Sequence, residues 1–213
     1  MAVTEIPRPW SSLARRTPAL VFAAALVTAL PIWWLVATPI LTGAPERLAR
    51  HAGHTPWIYL HAVTGTVMLF SGAAALWIGW TRRLFAFHRW VGATYLLSGA
   101  GAAGVALALT LVNVHHSVAQ ASATGTLAAV WLGAAAMAFR AVRHRRIDSH
   151  KAWVIRSYVL TWSFVFCRGL GKVLPMSDAA SDAALWMTWI GPLLVCEVAL
   201  QWSAGAPRAG VAR

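Results

Sequence analysis

Long apolar runs separated by short polar connectors dominate the chain. The runs cover about 18–40, 57–80, 90–112, 120–139, 153–171 and 183–202. Each approaches or exceeds the roughly 20 residues that a helix needs to cross a hydrocarbon core about 30 Å thick. Backbone N–H and C=O groups in lipid must be satisfied within their own segment, so the pattern predicts six transmembrane helices. The fold class is therefore all-α, a polytopic membrane protein with the second to fifth runs as a four-helix core. The first run follows Arg8, Arg15 and Arg16 but is longer than a signal-peptide core, so it reads as a retained helix in which Pro31 is tolerated or forms a kink.

Composition agrees with the pattern. The 213 residues are 59% hydrophobic and 11% charged, too few charges to cover a soluble domain. The formal net charge of +12 sits mostly in connectors, which is a topology signal rather than a nucleic-acid patch. Thirteen Lys and Arg residues fall on the side that holds both termini, three on the other, and Arg156 and Arg168 lie inside the fifth run. The count places both termini in the cytoplasm of a bacterial inner membrane. Residues 1–213 then form one integral membrane domain, with a cytoplasmic lead at 1–17 and a cytoplasmic tail at 203–213. Cys167 and Cys196 lie at different depths, which argues against a disulfide.

One motif occurs twice. Arg82-Arg83 precede His88-Arg89-Trp90, and Arg145-Arg146 precede His150-Lys151-Ala152-Trp153. Aligning His88 with His150 superimposes the second and third runs on the fourth and fifth. This admits a parallel repeat about an axis along the membrane normal. Arginines and tryptophans at inner connectors are expected in any case; the shared histidine before a cation is not.

The candidate chemistry rests on histidine. At the inner face His88, Arg89, His150 and Arg156 could serve a cofactor, the imidazoles as metal or haem ligands and the guanidiniums as partners for propionate, lipid phosphate or a quinone head. Towards the outer face His61 lies a turn inside the second run, where an ionisable group suggests function. With His115 and His116 it is a candidate metal set. His88 and His115 are 27 residues apart, roughly 40 Å along one helix, so two buried haems do not fit and a single haem using His61 fits better. The opposite reading makes each histidine a neutral hydrogen-bonding group. Arg156 and Glu197 share a depth, which favours a structural ion pair. The chain carries no nucleophile triad, phosphate-binding glycine loop, CxxC motif or zinc-protease helix, and the glycines of the third run read as packing glycines. Asp148 or Ser149 is the expected N-cap of the fifth helix.

His61 and Gly65, then His88, Arg89, Trp90, Gly92 and Tyr95, then His150, Trp153, Arg156, Ser157 and Tyr158 together form a signature. It resembles that of the bacterial membrane proteins grouped as domain of unknown function 2306 (DUF2306). The resemblance covers about 57–170, leaves the first and sixth runs outside, and implies a helical membrane protein without an activity to carry over. Three functional readings stand: a redox or cofactor-binding membrane protein using b-type haem or a transition metal, a non-catalytic accessory or assembly subunit of a membrane complex, and, more distantly, a small-solute transporter. The expected surroundings are the lipid bilayer and other membrane subunits, with no nucleic acid.

Overall fold

A computed structural model describes residues 27, 30–31, 33–45, 53–113, 117–174 and 177–205. Among the described residues every regular element is a helix. We label the helical stretch 33–41 α1. The others are α2 (Thr55–Thr81), α3 (His88–Asn113), α4 (Val118–Arg143), α5 (Ile147–Thr161), α6 (Ser163–Val173) and α7 (Asp178–Gly205). A short 3-10 turn, Phe85–Phe87, leads into α3. Among the described residues four helices are long and apolar enough to cross a membrane: Thr55–Thr81, Phe85–Val112, Val118–Arg143 and Ala179–Trp202.

Local chemistry sets several boundaries. Pro56 opens α2, where its missing N–H would have had no helical partner. Ser117 caps α4 by accepting from the backbone N–H of Gln120 at 3.1 Å. The expected cap at Asp148 or Ser149 is corrected. α5 starts earlier, at Ile147 after Arg146, so Asp148 sits in the first turn, where a carboxylate faces the positive end of the helix dipole. The single helix expected over 153–171 is also interrupted. Trp162 N–H bonds back three residues to the Val159 carbonyl, and the Thr161 hydroxyl donates to the Ser157 carbonyl. Such back-bonding competes with the regular ladder. Trp162 itself keeps right-handed helical angles between α5 and α6.

α2 and α3 form an antiparallel hairpin whose register is set by three contacts. His61 Nδ1 bonds the Ala102 carbonyl at 3.1 Å, Gly72 faces Tyr95, and Gly79 faces His88. α3 and α4 are antiparallel as well, with Gly99 against Trp131 and Gly125 near Thr110. α5 returns beside α4, with His150 meeting the Ala138 carbonyl at 2.9 Å. Both motif copies therefore stand at the same end of the bundle. α7 runs back along α5 towards that end, and Trp33 of α1 reaches Thr66 of α2 at 3.1 Å.

The centre is aromatic. Tyr95, Trp131, Tyr158 and Trp162 pack edge to face, with centroid separations of 5.8 Å for Tyr95–Trp131, 6.3 Å for Tyr95–Tyr158 and 6.1 Å for Tyr158–Trp162. Glycine makes room for these rings. A Cβ on Gly72 would lie 2.7 Å from Tyr158, and one on Gly99 would overlap the Trp131 indole. The expectation that every glycine of the third run packs a neighbour is corrected: Gly99 does, a Cβ on Gly101 would lie 3.4 Å from Thr64, and Gly92 and Gly104 face open space.

Candidate functional site

The two motif histidines converge where the hairpins turn. Both lie inside helices rather than in connectors: His88 opens α3 and His150 is in the first turn of α5. The two are near enough to interact electrostatically. A carbonyl oxygen can only accept, so His150 Nδ1 carries the proton in its bond to Ala138 and leaves the lone pair on Nε2. His88 packs against Gly79 and stacks on Phe85 at 5.2 Å and 7°. Its Nδ1 is buried without a hydrogen-bond partner. The Arg82 guanidinium lies over the other end of this stack, 4.9 Å from the Phe85 centroid.

The other sequence candidates are elsewhere. Arg89 is exposed at the same end. His61 is 18 residues along α2 from Gly79, about 27 Å. It cannot share a small cofactor with His88. His115 and His116, like His51, lie outside the described residues, as does the Arg168 side chain. Among the described residues no three His, Cys, Asp or Glu side chains gather as a metal site. Neither Cys167 nor Cys196 is in a disulfide.

Arg156 faces α7 rather than the histidines. Its Nε and Nη2 donate to the two Glu197 carboxylate oxygens, each at 2.8 Å, while its guanidinium covers Trp153 at 4.8 Å. Gln201 adds a bond to Glu197 at 3.0 Å. The shared depth expected for Arg156 and Glu197 is thus a bidentate pair.

Sequence reasoning missed a buried hydroxyl network. Tyr95 donates to Ser157 Oγ at 3.0 Å and lies 3.2 Å from Thr161 Oγ1, which also accepts from Trp131 Nε1 at 3.0 Å. Ser157 and Thr161 spend their own hydrogens on the Val154 and Ser157 carbonyls. Tyr158 donates to the Leu69 carbonyl at 3.2 Å. The available signal was the repeat: Tyr95 and Ser157 are 62 residues apart, the spacing of His88 and His150.

A family described as "Predicted membrane protein (DUF2306)" matches residues 58–200, more than half of the chain. The chain belongs to the DUF2306 family. The match runs past the 57–170 expected from the signature and takes in most of α7, including Glu197. The leading part of the chain, including α1, stays outside it. No curated protein and no solved structure matches this DUF2306 chain. It is an integral membrane protein that places its apolar helices in the lipid bilayer.

Proposed function

We propose that the protein is a cofactor-binding membrane protein that holds a transition-metal ion, or the iron of a b-type haem, on His88 and His150. The observation that carries this reading is the buried, unpartnered Nδ1 of His88 beside a second imidazole whose Nε2 keeps its lone pair. Metal-binding histidines almost always donate their other N–H to a carbonyl or carboxylate, which fixes the tautomer and raises basicity. His150 does so to Ala138. His88 and His150 would supply two of the ligands that such a group needs. A bound metal would supply the redox or Lewis-acid chemistry; the chain supplies orientation and a Phe85 wall.

The topology that goes with this reading has six crossings, with α5 and α6 together as the fifth, and the 57–170 region as a parallel repeat of two hairpins. Both termini and both motif copies face the bacterial cytoplasm, supported by the excess of cations on that side.

An oxidised-minus-reduced visible spectrum and metal analysis of the detergent-purified protein test the site. A near-stoichiometric signal that disappears in both His88→Ala and His150→Ala supports it. A colourless, metal-free and folded wild type removes it.

One observation favours a second reading, an accessory subunit in a larger membrane complex. Tyr95, Arg156, Ser157 and Tyr158 of the family signature serve packing and interhelical bonds. The second reading predicts a metal-free protein that purifies with fixed membrane partners.

A further inference from the structure

We infer that the end of the bundle carrying both motif copies is a binding surface for the phosphates of anionic phospholipids, with Arg82 and Arg145 as its leading contacts. This surface is separate from the histidine lone pairs and does not depend on the proposed metal. The connector after α2 exposes Arg82 and Arg83, the first turn of α3 exposes Arg89, and the end of α4 with the connector after it exposes Arg143, Arg145 and Arg146. The acid within these stretches, Asp148, leans on Lys151 at 3.8 Å. Exposed Leu84, Phe87 and Trp90 interleave with the cations. Alternating guanidinium and apolar side chains at one level suit a phosphate and the acyl chains below it.

A topology rule asks for cations at this end but is indifferent to their backbone conformation. Here the conformation is unusual. Arg82 ends α2 at φ 59°, donating its N–H to the Ile78 carbonyl. Arg145 follows α4 at φ 58°, with Arg145 N–H bonded to Val142 and Arg146 N–H to Ala141. That pair of bonds is the helix-ending pattern whose left-handed position usually holds glycine, because a Cβ is strained there. The chain places arginine in this position twice, once in each motif copy. A strained residue points to a use for its side chain. For Arg82 the side chain is also pre-positioned, held over the Phe85 ring that stacks on His88. Arginine presents a planar fork that matches phosphate oxygens.

Glycine at both positions separates this role from a structural one. Native mass spectrometry of the full chain in detergent, titrated with phosphatidylglycerol or phosphatidylcholine, reads the binding. The wild type is expected to retain phosphatidylglycerol preferentially. The double variant R82G/R145G should bind it about 25-fold more weakly, since each basic side chain near an anionic surface contributes roughly a fivefold factor. Its melting temperature in lipid-free detergent should be unchanged or higher, because glycine relieves the strained turns. If glycine lowers the melting temperature, R82Q/R145Q, which keeps side-chain bulk, must show the same loss of lipid. Equal retention of the two lipids by the wild type, or full phosphatidylglycerol binding by a folded double variant, overturns the inference.

Discussion

Tyr95 and Ser157, 62 residues apart in the chain, are joined by a 3.0 Å hydrogen bond at the centre of the bundle. The same spacing separates His88 from His150 at the end of the bundle. The two pairs mark a line from the core to the motif-bearing end.

The central hydroxyls are one hydrogen short of filling every contact, because Ser157 and Thr161 donate to backbone carbonyls and Tyr95 has a single proton for both of them. Tyr95→Phe keeps the ring contacts and removes that proton. It should cost about 1 kcal/mol, the net worth of one such bond. Unfolding of the purified protein in detergent measures it.

Gly99 lies directly beneath the Trp131 indole. Gly99→Ala should displace the ring, break its bond to Thr161, and destabilise by about 1–3 kcal/mol as an overpacked core does. Gly104 in the same helix faces open space, so Gly104→Ala should leave stability near the wild-type value or raise it slightly. Parallel melting curves of the two variants separate packing from helix propensity.

The pair between Arg156 and Glu197 ties α5 to α7. Arg156→Ala strands a carboxylate at membrane depth and should destabilise more than the double variant R156A/E197A, which leaves no orphan charge. Arg156→Lys should rescue only part, since an ammonium cannot make both bonds of the fork. A double-mutant cycle on detergent unfolding gives the comparison.

His61 donates to the Ala102 carbonyl far along α2 from the motif-bearing end. His61→Ala should lower stability by about 1 kcal/mol and leave any metal or haem content unchanged. A loss of cofactor in this variant, with His88 and His150 intact, would move the site to the other end of the bundle.

Several features were legible in the chain because a membrane imposes strong local rules. Apolar run length gave the helices α2, α3, α4 and α7, and the depth argument matched Arg156 to Glu197. The signature led to the family. Other features depend on neighbours that sequence spacing does not reveal. Arg156 was a candidate beside the histidines, yet its guanidinium turns to α7 because a carboxylate waits there. Tyr95, Ser157 and Tyr158 read as parts of a signature, and only packing turned them into a hydroxyl network.

The sequence by itself determined that this is a helical membrane protein with its cations gathered in the motif connectors, since lipid forbids unsatisfied backbone and burial of charge is costly. Tertiary structure decided which side chains meet. It joined Tyr95 to Ser157 and Trp131 to Thr161 across the bundle. The physical reason is that helix pairing sets distances across the bundle. An apolar run fixes only how far each residue lies along its own axis.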